Sequence, residues 1–277
     1  MTPLEQDDIP DALDWLSRNR QGTIFLEANL RKFGLSGDPY SVRIWRAGTR
    51  AMAGLTEAGV LLPQMTDATE DDWHALAQRL KGRTVTGMNG VPSQIARLRD
   101  LPGLAGAKAS LDEVEPGFSL ELSDLVMPRA DGLRLAPIRA EDAAAMAAWR
   151  AAYMVEILGQ DMAAAEPEAA RQVARYRAEG SHRILWQEDT PVAFTGFNAR
   201  LPGLVQIGGV YTPPDLRGRG FARAAVALHL AEARAAGTRT ARLFAASDSA
   251  ARAYRAIGFQ RAGDVALVMF AEPRAVS

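Results

Sequence analysis

One stretch constrains the fold of this chain more than any other: GVYTPPDLRGRGFARAAVALHL, from Gly209 to Leu230. An apolar, strand-like segment runs through a proline pair into a turn rich in arginine and glycine, and an alanine-rich helical segment follows at once. The first turn of a helix has unpaired backbone N–H groups and partial positive charge. Gly218 and Gly220 allow the backbone to approach a ligand closely, so the stretch predicts an anion site at a helix N-terminus.

The composition limits the classes of protein to which the chain can belong. Its 277 residues predict two domains of ordinary size, and a net charge of -1 argues against a general nucleic-acid binder. The chain has no cysteine, which excludes disulfides, thiol catalysis and thiolate metal sites, and its three scattered histidines predict no metal site. The acidic N-terminal segment and the lack of a run of about 20 apolar residues predict a cytoplasmic protein without membrane attachment.

The pattern of apolar residues predicts an α+β fold in two parts. In the first part, residues 9–33 read as helix, and short strands and two further helices follow. Residues 108–132 contain Pro and Gly residues that interrupt regular secondary structure. They are the predicted inter-domain region. From Leu133 onward the predicted order is one strand, two helices, three strands, then helix, strand, helix and two strand segments. We therefore expect domains at residues 1–125 and 126–277.

The arginine and glycine turn does not match either of two common nucleotide-binding motifs. A P-loop needs Gly-Lys-Ser/Thr at the helix start, but Phe221, Ala222 and Arg223 follow Gly220. A dinucleotide fingerprint needs a third glycine where Arg223 stands, and an acidic residue at the end of the next strand, where TARLFAA has none. A solvent-facing turn that caps an ordinary helix is the simpler alternative.

The turn closely resembles the phosphate-binding motif of the GCN5-related N-acetyltransferase (GNAT) superfamily. That motif, Arg/Gln-x-x-Gly-x-Gly/Ala, is matched by Arg217, Gly220 and Ala222. The resemblance extends over residues 133–270 and includes the run SDSAARAYRAIGF, in which the matching residues are Tyr254, Gly258 and Phe259. The family often has Asn where this chain has Ser247, whose hydroxyl can still hydrogen-bond but has a shorter reach.

The resemblance implies a fold and a cofactor. The fold is α+β and sandwich-like, with two GNAT-like lobes, each a mixed, mostly antiparallel sheet flanked by helices. A central strand separates from its parallel neighbour, its backbone binds pantetheine, and the loop amides after it bind the pyrophosphate of acetyl-CoA. The cofactor-binding residues that it implies are Val210, Tyr211, Thr212, Arg217, Gly218, Arg219, Gly220, Phe221, Ala222, Ser247 and Tyr254.

The resemblance also implies direct transfer of an acetyl group from acetyl-CoA to an amine. This chemistry needs a base for the amine, a donor for the developing oxyanion and an acid for the departing thiolate. The family implies Tyr254 as the acid and a backbone N–H near Val210 as the oxyanion donor. The candidate base is Glu156, which has a surface position on a helix as its alternative, while Tyr254 has packing on the sheet as its alternative. Neither His182 nor His229 lies in a pattern that indicates catalysis.

The first half lacks the phosphate-binding run and is interpreted as a degenerate GNAT-like domain at residues 1–125, ahead of the GNAT N-acetyltransferase domain at residues 126–277. The expected partner is a small-molecule or peptide amine, with no nucleic acid, membrane or metal. A non-catalytic module that binds acyl-CoA as a sensor or structural ligand is the alternative function, and the absence of an evident base favours it.

Overall fold

A computed structural model describes residues 1–20 and 24–277 of the chain. The chain forms two compact units, of which unit 1 is Met1–Glu115 with Gly263–Ser277, and unit 2 is Pro116–Ala262. This division differs from the sequence-based domains because residues 263–277, which we expected in the second domain, pair with a strand of unit 1. The boundary between the units falls within two long strands, at residues 115–116 and 262–263. No turn or loop interrupts either strand at these positions.

Unit 1 has a sheet with helices on both faces. Its helices are α1 (Ile9–Arg18), α2 (Phe25–Phe33), α3 (Glu70–Leu80) and α4 (Pro92–Arg99). Its strands, in spatial order, are β1 (Thr2–Pro3), β2 (Val42–Ala47), β3 (Ala51–Thr56), β4 (Val60–Gln64), β5 (Thr84–Gly90) and the C-terminal part of β12 (Gln260–Ala275). The strands alternate apolar side chains between two cores, one beneath α3 and α4 and the other beneath α1 and α2.

The predicted helix over residues 9–33 is two helices in the structure. Asn19 ends α1 with a non-helical backbone conformation, and α2 begins at Phe25. Part of the predicted helix falls on residues 21–23, which lie outside the described residues.

Unit 2 repeats this architecture. Its helices are α5 (Ala143–Leu158), α6 (Met162–Glu179), α7 (Phe221–Ala235) and α8 (Asp248–Arg255). Its strands, in spatial order, are the C-terminal part of β6 (Ala109–Glu121), β11 (Thr240–Phe244), β10 (Leu204–Tyr211), β9 (Thr190–Leu201), β8 (His182–Gln187) and β7 (Leu133–Pro137). Helices α5 and α6 cover one face, and α7 and α8 cover the other. The order of elements predicted for the second half is confirmed, with one long strand in place of the two final segments.

Local signals explain where the helices of unit 2 begin and end. Helix α5 ends at Gly159 in the left-handed conformation, and the side chain of Asp161 then accepts a hydrogen bond from the backbone N–H of Ala163 at the start of α6. Gly180, also left-handed, ends α6. The short turn between the two helices makes them antiparallel neighbours on one face of the sheet.

Candidate active site

The central feature of unit 2 is the separation of two parallel strands. Strand β10 pairs with β11 only at Leu204, Val205 and Gln206, although β10 continues to Tyr211. Its other edge pairs with β9, and there the register shifts between Gly208 and Tyr211, so β10 carries one extra residue. From residue 207 onward, β10 therefore has one edge without a strand partner.

A cleft of about 630 Å³ begins at this separation and extends to the start of α7. This volume is in the usual range for a small-molecule site. Four segments of unit 2 line it: the last two turns of α5, the end of β10 with the loop after it, the first turn of α7, and the segment from β11 into α8. The sequence-predicted residues that line the cleft are Glu156, Val210, Tyr211, Thr212, Arg217, Gly218, Arg219, Gly220, Phe221, Ala222, Ser247 and Tyr254.

The loop before α7 forms an open cradle of backbone amides. Gly218 and Gly220 have φ angles of 76° and 81°, which favour glycine. A side chain added at Gly218 would meet nothing within 4 Å, so the space beside this residue is open. Gly220 is the N-cap of α7, and no side chain in the described part of the chain caps this helix. The first amides of α7 consequently point into the cleft with the positive end of the helix dipole, an arrangement that fits an anion.

Arg217 and Glu156 form an ion pair at the edge of the cleft. The Nη1 and Nη2 atoms of Arg217 each donate a hydrogen bond of 2.7 Å to Glu156, and its Nε donates to the carbonyl oxygen of Thr212. The hydrogen bonds from Arg217 hold the pKa of the Glu156 carboxyl below its ordinary value. Arg217 therefore fixes the loop through protein contacts, and a carboxylate with a lowered pKa is a weak proton acceptor.

Tyr254 and Ser247 lie on the opposite wall, on and before α8. The ring of Tyr254 is 7% exposed, packs edge-on against Phe259 with 6.1 Å between ring centroids, and reaches the cleft. Both the packing and the catalytic interpretation of this tyrosine are compatible with that position. Ser247 is the N-cap of α8, and its hydroxyl caps the helix by accepting a hydrogen bond from the backbone N–H of Ala250.

The sequence analysis missed the contribution of α5 and of the bulge. Tyr153 and Ile157 line the cleft beside Glu156, and Gly208 and Gly209 line it from β10. The glycine pair inside a strand pattern was a usable signal, because such glycines often mark a bulge or a close approach to a ligand.

Unit 1 has the same strand–helix–strand order but a different helix start. Strands β4 and β5 are parallel and pair at only two positions, and α3 connects them. Thr69 caps α3 reciprocally with Asp72, whose carboxylate also receives two hydrogen bonds from Arg50. These contacts, chiefly those from Arg50, lower the pKa of Asp72 to about 2. The side chains of unit 1 thus occupy the position at which unit 2 has an open glycine cradle.

Where β4 and β5 of unit 1 cease to pair, Pro63 of β4 lies beside Gly90 of β5. A Cβ added at Gly90 would lie 3.0 Å from the Cγ of Pro63, so the proline ring fills the space between β4 and β5. The carboxylates of Glu70, Asp71 and Asp72 in the first turn of α3 also occupy the positive end of the helix dipole, which leaves it less favourable for a further anion.

Comparison with known proteins agrees with this geometry. Residues 145–259 match a family model described as the acetyltransferase (GNAT) family. Residues 145–259 are therefore assigned to a GNAT-type domain. The assignment supports acyl transfer from an acyl-CoA to an amine as the general class of activity. A search of curated proteins finds no match to the chain.

Solved structures with the same fold cover both halves of the chain. A protein from Drosophila covers 96% of this chain and 97% of its own, with a TM-score of 0.63 and 16% identity. A GNAT-family acetyltransferase from Colwellia psychrerythraea covers 97% and 98%, with a TM-score of 0.57 and 13% identity. A tandem GNAT protein from the clavulanic acid biosynthesis pathway covers 98% and 97%, with a TM-score of 0.56 and 16% identity. The expected fold of two GNAT-like lobes is confirmed.

Within residues 1–20 and 24–277, no group of three or more His, Cys, Asp or Glu side chains could hold a metal ion. In the same residues, every helix is too short or too polar to cross a bilayer.

Two histidines of unit 2 are buried without full hydrogen bonding, and they predict a dependence of stability on pH. Burial lowers the pKa of both His182 and His229 well below the ordinary value of 6.5. The unfolded chain therefore binds more protons than the folded chain below about pH 6.5. The stabilisation is present above this pH, and the free energy of unfolding should fall as the pH is lowered from 6.5 toward the folded-state pKa values.

Melting temperatures measured from about pH 7.5 to about pH 5 test this expectation. The decrease in melting temperature on acidification should be smaller in His182→Gln and in His229→Gln than in the wild type, whatever the absolute stability of each variant. His74→Gln, at an exposed position in unit 1, is the matched control. An unchanged slope in both buried-histidine variants would contradict the assignment.

Proposed function

We propose that the protein is an N-acyltransferase that uses acetyl-CoA, with the cofactor and the chemistry in the cleft of unit 2. The observation that supports this most is the single continuous cleft from the separated strands β10 and β11 to the uncapped glycine start of α7. An elongated molecule with amide groups at one end and a diphosphate at the other matches both features.

The residues of the cleft fit such a cofactor. Backbone groups of Val210, Tyr211 and Thr212 would hydrogen-bond the amides of pantetheine, as a further strand would. The amides of the loop at residues 218–222 would hold the pyrophosphate, with Arg219 adding screened attraction. Ser247 lies beside the same path, where its hydroxyl caps α8 and shares a hydrogen bond with the hydroxyl of Ser249.

The proposed reaction is a direct attack of the amine on the thioester carbonyl. A C–N bond forms, the C–S bond breaks, the amine loses one proton and the thiolate gains one, so the products are an amide and a free thiol. The N–H of Val210 would donate to the carbonyl oxygen as negative charge develops on it. Tyr254 would donate its phenolic proton to the departing sulfur.

The role of Glu156 as the base stays a prediction, and its ion pair counts against it. We propose instead that Glu156 positions Arg217 and the cradle loop, because it occupies both Nη atoms of that arginine. An amine that reaches the cleft deprotonated, with bulk water taking its final proton, needs no protein base.

Incubation of the protein with acetyl-CoA and a panel of amines, with release of free thiol measured, tests the proposal. Thiol release that depends on an added amine supports the transferase. Tight binding of acetyl-CoA with no amine-dependent release from any member of the panel would support the alternative, a non-catalytic acyl-CoA sensor.

We also propose that unit 1 is a degenerate copy without a cofactor of its own, and this predicts one acetyl-CoA per chain. The acidic, self-capped start of α3 disfavours a diphosphate at this helix, and Pro63 lies beside Gly90 where β4 and β5 cease to pair. Calorimetric titration measures the stoichiometry directly. Two equivalents bound per chain would contradict the proposal for unit 1.

A further inference from the structure

Two polar side chains converge on the bulge of β10 from the side of α5 and α6. The position that a Cβ would occupy on Gly209 lies 3.5 Å from Nη1 of Arg150 and 3.9 Å from Nε2 of His182. Gly209 has a φ of 62° and lines the cleft. Arg150 and His182 do not line the cleft themselves, but their nitrogens lie next to this residue, which has no side chain to shield them.

Arg150 is held in a fixed orientation but has no acidic partner. Its Nε donates a hydrogen bond of 2.7 Å to Oε1 of Gln172, which also accepts a hydrogen bond from the hydroxyl of Tyr176. Its guanidinium lies over the ring of Tyr153, 4.8 Å from the centroid. Among the described residues, no carboxylate pairs with Arg150, whereas Arg183 and Arg217 of the same unit each pair with a glutamate.

His182 supplies a second, independent sign of a missing ligand. Its side chain is 2% exposed and is stacked on Tyr176, with 3.5 Å between ring centroids. Its Nδ1 shares a hydrogen bond of 2.8 Å with the hydroxyl of Ser181, but its Nε2 has no partner in the described structure. When the hydroxyl donates to Nδ1, Nε2 carries the proton and is a donor. A buried donor without an acceptor is costly, so an acceptor atom at this place would be stabilising.

We propose, on the basis of the function proposed above, that the acceptor is an amine that also carries a carboxylate, and that this carboxylate binds Arg150 beside Gly209. Nη1 of Arg150 and Nε2 of His182 are two donors that face one position, which suits an anionic oxygen. The one acid of the cleft wall, Glu156, is already paired with Arg217, so this part of unit 2 has no free negative charge for a polycation.

The position of the carboxylate limits the distance between the two groups of the acceptor. Gly209 immediately precedes Val210, whose N–H is the proposed donor to the reacting carbonyl, and adjacent Cα atoms lie about 3.8 Å apart. An amine at the carbonyl and a carboxylate at Gly209 are therefore close neighbours. This separation fits an amino acid in which one or two carbons join the amine to the carboxylate.

Matched acceptor pairs test the inference. Each pair consists of an amino acid and its carboxamide; because the carboxylate also raises the pKa of the neighbouring amine, rates are compared at equal concentrations of deprotonated amine. The wild type should acetylate the acid with a kcat/KM at least about tenfold above that for the carboxamide, since a charge-assisted hydrogen bond typically contributes this much. Arg150→Gln should remove the preference through a higher KM for the acid, with a smaller change in KM for the carboxamide.

Controls separate this inference from the proposed function. Arg177→Gln removes a positive charge from an exposed position on α6 and should keep the preference for the acid. Arg150→Lys keeps the charge and should retain part of the preference if Arg150→Gln folds poorly. Equal kcat/KM for acid and carboxamide, or a preference that survives in Arg150→Gln, would overturn the inference. Failure to acetylate any amine would instead overturn the proposed function.

Discussion

Gly220→Glu should reduce the affinity for acetyl-CoA by about 100-fold or more while the protein stays folded. The carboxylate would stand at the N-cap of α7 and would replace the bound anion at the positive end of the helix dipole, where it would also repel a diphosphate. The φ of 81° at this residue adds strain of about 1–2 kcal/mol for any side chain, which a domain of this size tolerates in an exposed loop. Calorimetry with acetyl-CoA measures the affinity.

The control for this variant is Gly237→Glu. Gly237 has a φ of 92°, follows α7 at its other end, and has open space around its Cβ position. This variant introduces a similar strain and the same charge away from the cleft, so it should bind acetyl-CoA as the wild type does. Wild-type affinity in a folded Gly220→Glu protein would show that the cofactor does not bind at this loop.

Tyr254→Phe should lower kcat by about 100-fold and leave the affinity for acetyl-CoA almost unchanged. The substitution keeps the ring and its edge-on contact with Phe259, but it removes the hydroxyl that would protonate the departing thiolate. A 100-fold decrease corresponds to about 2.7 kcal/mol of activation free energy. Turnover with an acceptor identified in the amine panel, measured beside calorimetric affinity, tests both parts.

Melting temperature separates the catalytic interpretation of Tyr254 from the packing interpretation. A variant with near wild-type kcat and a lower melting temperature would make Tyr254 a packing residue. Tyr40→Phe removes a hydroxyl from an exposed tyrosine of unit 1 and should change neither kcat nor affinity.

The fold of the second half was largely predictable because its signals are local. Gly180 and Gly258 mark helix ends, apolar runs separated by polar turns mark the strands, and the arginine and glycine turn marks the start of α7. The division into units was less predictable. Residues 263–277 belong to unit 1 because β12 pairs with β5. The local sequence of a strand does not specify which distant strand it pairs with, so this pairing was not predicted.

The candidate site was predictable to the extent that it depends on one contiguous motif. The glycine cradle and Tyr254 both lie within residues 209–259, and both line the same cleft in the structure. The ion pair of Glu156 with Arg217 joins residues 61 positions apart, so the sequence analysis assigned these two side chains unrelated roles. The position of Arg150 and His182 beside Gly209 likewise depends on how α5 and β8 pack near β10.

Acetyl transfer itself is the central claim, and product analysis tests it most directly. The protein is incubated with acetyl-CoA that carries an isotopic label in its acetyl group, together with a panel of amines that includes amino acids, and the products are analysed by mass spectrometry. We predict a labelled amide of at least one amine with the wild type and none with Gly220→Glu. Stoichiometric binding of acetyl-CoA by the wild type without a labelled amide from any amine would contradict the transferase.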